Sequence, residues 1–152
     1  MKLIKIFFLF ILLACEVCQN NENTRNEGYV EYEDGSEFLI LKLNESYKLP
    51  NDNNPLTVSF DDVSDSRCAK SACWLCYGSQ ADIFLSITDS KEAKVKINLD
   101  IIGCVDELLN ESLNNFTDTL GYRFRLVKLS PYPDIEPINK EDYTAKINIK
   151  QL

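Results

Sequence analysis

The chain contains no histidine at any of its 152 positions. This absence excludes catalysis by a Ser-His-Asp triad or a Cys-His pair, a histidine general base, and zinc sites that use imidazole ligands. The chemistries that remain are paired carboxylates, lysine and cysteine-based redox reactions. We expect no bound cofactor and no enzymatic activity, and we keep a redox protein or a carboxylate-based enzyme as an alternative.

Long apolar runs are also scarce. The longest one, Ile6 to Leu13, follows the basic residues Lys2 and Lys5. A helix that crosses a bilayer needs roughly 20 apolar residues, so this run is too short to span one. Its length and its basic flank are typical of the hydrophobic region of a cleaved export signal. The sequence therefore predicts a leader over residues 1–14.

The end of this leader carries a specific motif. Leu12-Leu13-Ala14-Cys15 resembles the lipobox of bacterial lipoproteins, in which signal peptidase cuts before a cysteine that carries diacylglycerol on its sulfur. The resemblance implies lipidation at Cys15, stable anchoring through two or three acyl chains, and a place in the bacterial cell envelope on its periplasmic or surface face. The alternatives are an ordinary secretory signal without lipidation and a retained anchor.

Positive charge is in deficit. Removal of the leader, which holds two lysines and no acid, leaves 14 basic and 24 acidic side chains and a net charge of −10. This balance excludes a nucleic-acid role driven by phosphate neutralisation, and it argues against binding to anionic lipid surfaces. The expected partners are the membrane, through the N-terminal lipid, and an envelope protein or ligand that the sequence does not identify.

The composition changes twice along the mature chain. Residues 15–36 begin with the lipidated cysteine, are rich in Asn and Glu, and have almost no apolar content before Tyr29. We predict a flexible tether there, with a reach on the order of 25 Å. Residues 37–152 form one domain.

Within that domain the apolar residues recur with a period of two. The cleanest case alternates Val95, Ile97 and Leu99 with polar residues, as a half-buried strand requires. Turn-forming segments rich in Pro, Asn and Asp separate such runs. We therefore predict an all-β antiparallel sandwich of about six or seven strands. The predicted strands centre on Leu39–Leu43, Tyr47–Leu49, Leu56–Phe60, Ile83–Ile87, Val95–Leu99, Tyr122–Leu129 and Tyr143–Ile149.

Two local irregularities accompany this pattern. The apolar phase shifts at Val127 inside the run that begins at Tyr122, which predicts a β-bulge. Residues 105–116 place Val105, Leu108 and Leu113 near helical spacing, which predicts a short helix there.

Six cysteines remain to be assigned. Cys15 is the predicted lipid attachment site, and Cys18 lies in the tether as an unpaired thiol. The other four form an even set in an exported domain, a pattern that indicates disulfides. Three pairings are open. The four predicted disulfide cysteines are Cys68, Cys73, Cys76 and Cys104.

The segment around Cys68 carries a second resemblance. Val63, Asp65-Ser66-Arg67-Cys68, Gly78 and Ala81 resemble a motif of small, largely uncharacterised bacterial lipoproteins. The likeness spans roughly residues 45–150 and includes Ser130-Pro131-Tyr132-Pro133 and Tyr143-Thr144-Ala145. Ala69 departs from the family's usual proline, and Trp74 and Cys76 are displaced from its usual order. The resemblance implies a β-sandwich lipoprotein and brings no catalytic residues.

The same segment supplies the candidate binding residues. We expect Arg67 to pair with Asp65, or with Asp61 or Asp62, and to hold the loop that follows it. Tyr132 is a contact residue in this hypothesis and part of a rigid turn in the alternative. The candidate binding loop consists of Asp65, Arg67, Trp74, Tyr77 and Tyr132.

Three other chemistries of this segment each lack a required feature. A four-cysteine zinc site lacks a second clean pair of ligands beside Cys73 and Cys76. A redox dithiol at these two cysteines lacks a surrounding βαβ pattern. Calcium binding by Asp61, Asp62 and Asp65 lacks the spacing of an EF-hand loop. We therefore expect no metal. The leading hypothesis is an envelope-anchored binding or structural module, and an inhibitor that presents loops to a protease is a further alternative.

Overall fold

A computed structural model of the chain describes residues 27–50, 55–69, 72, 79–103, 115–134 and 137–152. These residues form nine strands in two antiparallel sheets, which confirms the predicted all-β fold. A 3-10 turn, Lys140–Asp142, precedes the last strand. The strands are β1 (Tyr29–Glu33), β2 (Ser36–Lys42), β3 (Ser46–Leu49), β4 (Leu56–Asp65), β5 (Gln80–Thr88), β6 (Lys94–Ile102), β7 (Thr117–Thr119), β8 (Tyr122–Ser130) and β9 (Thr144–Gln151).

The two sheets divide the chain unevenly. The five-stranded sheet has the order β1-β2-β9-β8-β7, and the four-stranded sheet has the order β3-β4-β5-β6. The chain crosses between sheets after β2 and again after β6. A single hydrophobic core contains residues from both sheets, as expected when two sheets bury one face each against the other. The structure is thus a β-sandwich.

The core follows the alternation that the sequence displays. Leu85 and Ile87 on β5 are fully buried, and Leu39 and Leu41 on β2 contribute to the same core from the other sheet. Side chains at the intervening positions point outward because successive residues of a strand lie on opposite faces.

Two β-bulges interrupt the register. The predicted bulge in β8 is confirmed, because the pairing with β9 shifts between Leu126 and Lys128. A second bulge, which the sequence pattern did not indicate, lies in β4 between Phe60 and Asp62. Each bulge inserts one extra residue into its strand. The apolar side chains after the bulge therefore face the core again.

The strand count exceeds the prediction by two. Residues 29–33, assigned to the flexible tether, form β1 and pair with β2 through a turn at Asp34 and Gly35. Both turn residues have positive φ, 49° and 79°, as a two-residue hairpin of the primed type requires. The tether prediction is therefore wrong for residues 29–36, and the domain begins before residue 37.

The other additional strand is β7, a three-residue strand that pairs with the start of β8. It was missed because it is too short to show an alternation. The predicted helix at 105–116 falls mainly on residues 104–114, which lie outside the described residues. Its last two positions, Asn115 and Phe116, are not helical.

Candidate functional site

Arg67 is the centre of a buried polar cluster at one end of the sandwich. Its guanidinium binds both carboxylate oxygens of Asp65, with Nε–Oδ1 and Nη2–Oδ2 distances of 2.9 Å and 2.7 Å. Nη1 donates to the Leu129 carbonyl at 3.0 Å, and the guanidinium carbon lies 4.7 Å from the centre of the Tyr132 ring. The Tyr143 hydroxyl donates to Asp65 at 2.9 Å. We call these five residues the Arg67 cluster.

The cluster joins the two sheets. Asp65 ends β4 in the four-stranded sheet, whereas Leu129 lies on β8 in the five-stranded sheet. Arg67 also donates to the carbonyl of Pro131 at 3.2 Å, just after the cis Ser130-Pro131 peptide bond. Only 3 % and 4 % of the Arg67 and Asp65 side chains are exposed. This burial is tolerated because hydrogen bonds compensate both charges.

The electrostatics of the cluster follow from this arrangement. Burial acts to raise the pKa of Asp65, but the hydrogen bonds and charge of Arg67 outweigh it and hold that pKa below its ordinary value. Burial, together with the hydrogen bond to the Asp65 carboxylate, raises the pKa of Tyr143 to about 12. Asp65 is therefore ionised and Tyr143 is neutral at physiological pH.

Gly103 packs directly against the Arg67 side chain. A Cβ atom at this position would lie 2.7 Å from Oγ of Ser79 and 2.8 Å from Cγ of Arg67, too close for any residue larger than glycine without a shift. The Gly103 amide donates to the Ser79 carbonyl at 2.8 Å, and the Ser66 amide donates to the Gln80 carbonyl at 2.9 Å. The segments just before β5 and just after β6 thus pack beside the cluster.

The structure brings together three of the five candidate binding residues, in a different role. Asp65 and Arg67 are buried and use their polar atoms internally, so neither presents a group to a ligand at the surface. Tyr132 covers the guanidinium. Trp74 and Tyr77 lie outside the described residues.

Neither of the alternative carboxylates, Asp61 and Asp62, pairs with Arg67. Asp61, the bulged residue of β4, accepts a hydrogen bond from Ser86, and Asp62 pairs with Lys140. Among the described residues no group of three or more Cys, Asp or Glu side chains could hold a metal ion.

One cysteine of the six lies within the described residues. Cys68 directly follows Arg67 and is disulfide-bonded. Its partner therefore lies outside the described residues, and the pairing stays a prediction. The other cysteines, Cys15, Cys18, Cys73, Cys76 and Cys104, also lie outside them.

A cleft opens between the two sheets at the opposite end of β8. It has a volume of about 170 Å³ and adjoins a shallower depression of about 620 Å³ that shares Tyr32, Glu37, Ile149 and Gln151 with it. The Tyr32 hydroxyl donates to Oε1 of Glu37 at 2.7 Å, and this bond raises the pKa of Tyr32. We call the cleft of about 170 Å³ the tyrosine cleft. Its lining residues are Val30, Tyr32, Glu37, Tyr47, Leu49, Pro50, Tyr122, Ile149 and Gln151.

The polar groups of the cleft occupy core-facing positions of their strands. Glu37 precedes the core residue Leu39 by two positions on β2, and Gln151 follows the inward-facing Ile149 by two on β9. Since residues two apart on a strand share a face, these side chains extend the inward rows beyond the apolar core. Glu37 and Gln151 are exposed there, so they place polar groups at the rim of the cleft.

A second depression, of about 410 Å³, surrounds Phe84 on the outer face of the four-stranded sheet. Both of its lining carboxylates, Asp61 and Asp62, already bind other side chains, Ser86 and Lys140. The tyrosine cleft is the better candidate because aromatic and aliphatic side chains surround a few converging polar groups there.

Sequence reasoning missed this cleft. Its residues come from β1, β2, β3, β8 and β9 and from Pro50 after β3, and none of them belongs to a recognisable sequence motif. One signal was present in the sequence. At Glu37 and Gln151 a polar residue stands where the strand alternation would place an inward-facing apolar residue. That signal becomes visible only once sheet pairing places these strand ends together.

Comparisons with known proteins return no relative. No protein-family profile, no curated protein and no solved structure matches the chain. The resemblance to bacterial lipoproteins therefore stays a prediction. In the described part of the chain, no helix is long and apolar enough to cross a membrane.

Proposed function

We propose that this chain is a lipid-anchored protein of the bacterial cell envelope whose β-sandwich is a binding module for a small ligand. The basic start, the short apolar run and the small residue before Cys15 support the anchor. An exported location is also the setting in which disulfide-bonded cysteines are expected.

The observation that carries the binding function is the tyrosine cleft. Tyr32, Glu37 and Gln151 converge on one opening from three strands, and the rest of its lining is apolar or aromatic. A concave site with an apolar lining and a few polar groups is the usual form of a small-molecule site.

The Arg67 cluster has a supporting role in this proposal. It lies at the far end of β8, because Tyr122 begins this strand at the cleft and Leu129 accepts the hydrogen bond from Arg67 near its other end. These two residues are seven positions apart along the strand, roughly 24 Å. The cluster fixes the relative position of the two sheets, and the cleft between the sheets depends on that position.

A fragment titration followed by NMR tests the binding function. The full mature domain is titrated with small neutral, cationic and anionic fragments. We expect the backbone amides of Tyr32, Glu37 and Gln151 to shift with at least one chemical class. Shifts that fall only on other surfaces, or no shifts at all, would refute the cleft as the binding site.

A matched pair of variants makes this test specific. Tyr32→Phe removes a hydroxyl in the cleft, whereas Tyr29→Phe removes one on the same strand but on the opposite face. We expect weaker fragment binding for Tyr32→Phe and unchanged binding for Tyr29→Phe. Equal effects of the two variants would contradict the proposal.

A further inference from the structure

We infer that the tyrosine cleft selects an organic cation, namely a quaternary ammonium or protonated amine group on a small ligand. This inference rests on the proposed binding function and adds the chemical class of the ligand.

The first argument is the aromatic lining. Tyr32, Tyr47 and Tyr122 come from three different strands and line the same opening. The faces of aromatic rings are electron-rich, so a cation among several rings is attracted by each of them. Groups of aromatic residues around one opening are the usual means by which proteins recognise ammonium ions that cannot form strong hydrogen bonds.

The second argument is the charge of the lining. Glu37 is the single charged side chain among the nine described residues that line the cleft. Its carboxylate accepts the hydrogen bond of Tyr32, which fixes its orientation at the opening. An anionic ligand would meet this carboxylate with no cation beside it in the cleft, whereas a cationic ligand would be paired by it.

The third argument is size. The volume of about 170 Å³ is below the roughly 300–1,000 Å³ typical of pockets for drug-sized ligands. The cleft therefore suits one compact head group, and the adjoining depression of about 620 Å³ offers room for the remainder of the ligand. Lys150 lines only that outer depression, where an oxygen-rich part of the ligand would lie.

The test compares a cation with its uncharged carbon isostere. Choline and 3,3-dimethylbutan-1-ol, called dimethylbutanol below, have the same shape. They differ only in that a neutral quaternary carbon replaces the charged nitrogen, so the difference between their affinities for the mature domain isolates the contribution of charge. We expect choline to shift the amides of Tyr32 and Glu37 and to bind about tenfold more tightly than dimethylbutanol.

Two glutamate variants complete the test. Glu37→Gln keeps the shape and an acceptor for Tyr32 but removes the charge, so we expect it to abolish most of the preference for choline. Glu31→Gln removes a carboxylate from the outward face of the same hairpin and should leave the preference unchanged.

The outcomes separate this inference from the proposed function. Equal affinity for choline and dimethylbutanol at the cleft, or cleft shifts with glucose but not with choline, would overturn selection for a cation and leave the binding function standing. Absence of cleft shifts with these compounds and with the whole fragment set would overturn both.

Discussion

Arg67, which follows β4 of one sheet, and Leu129, on β8 of the other, are 62 residues apart and are joined by a hydrogen bond of 3.0 Å from the guanidinium to the backbone carbonyl. A side chain that follows β4 is thereby tied to the backbone of β8. The hydrophobic core holds the two sheets face to face without a preferred direction, because apolar contacts are non-directional. The Arg67–Leu129 bond adds a directional link that fixes how the sheets meet.

Removal of Arg67 should be strongly destabilising. The Arg67→Ala variant leaves the buried Asp65 carboxylate without its cation, and loss of one partner of a buried ion pair typically costs about 3–5 kcal/mol. Urea unfolding followed by circular dichroism gives the free energy of unfolding directly.

The chain offers a matched control for this variant. Arg123 also binds a carboxylate with two hydrogen bonds, to Asp118, and also lies over an aromatic ring, Phe116, at 3.7 Å. That pair differs from the Arg67–Asp65 pair in being exposed. Arg123→Ala should change the stability little, since exposed ion pairs contribute little. Similar losses for both variants would contradict a special role for Arg67.

We expect any side chain larger than hydrogen at position 103 to destabilise the fold. The added methyl group of Gly103→Ala would press on Ser79 and Arg67, and overpacking of this kind costs about 1–3 kcal/mol. A double-mutant cycle with Arg67→Ala tests the mechanism, because the penalty should shrink once the long side chain is gone. A penalty that is the same in both backgrounds would assign the effect to Ser79 alone.

The raised pKa of Tyr143 predicts that the free energy of unfolding falls at alkaline pH. Its pKa in the folded chain is about 12, above the ordinary value of 10.0. The unfolded chain therefore releases this proton first as pH rises, so the contribution of Tyr143 is complete below pH 10.0 and is lost towards pH 12. Urea unfolding across this window should show a decline for the native chain and a smaller decline for Tyr143→Phe. Identical pH slopes would contradict the buried hydrogen bond to Asp65.

The close approach of Arg67 and Gly103 predicts which cysteines form disulfides. The next residues along the two segments are Cys68 and Cys104, so we expect a Cys68–Cys104 bond, with Cys73 and Cys76 as the second pair. Such a bond would close a loop of about 36 residues and contribute about 3–4 kcal/mol in the chain-entropy treatment. Peptide mapping without reduction measures the pairing. A peptide that joins Cys68 to Cys73 or Cys76 would refute it.

The sequence predicts the fold class well because the sandwich depends on local alternation. The run from Lys94 to Leu99 specifies its own buried face, and the phase shift at Val127 specifies a bulge without reference to any partner strand. Strand β1 escaped prediction because it is an exposed edge strand. Tyr29 and Tyr32 are 55 % and 74 % exposed, so β1 carries no apolar row for the pattern to reveal.

The candidate site is less predictable for a different reason. The pairing of Arg67 with Asp65 is local and was expected, whereas its burial depends on Leu129, more than sixty residues away. The tyrosine cleft depends wholly on such long-range placement, since Tyr32, Tyr47 and Tyr122 meet only after both sheets have formed. Residue type and spacing along the chain do not contain that information.

The claim on which the envelope function most depends is the lipid on Cys15. The measurement is mass spectrometry of the N-terminal peptide of the protein expressed in a bacterium that processes lipoproteins. We predict that the mature chain begins at Cys15 and that this residue carries the mass of a diacylglyceryl group. A chain that begins elsewhere, or an unmodified Cys15, would contradict the anchor and the location assigned to the protein.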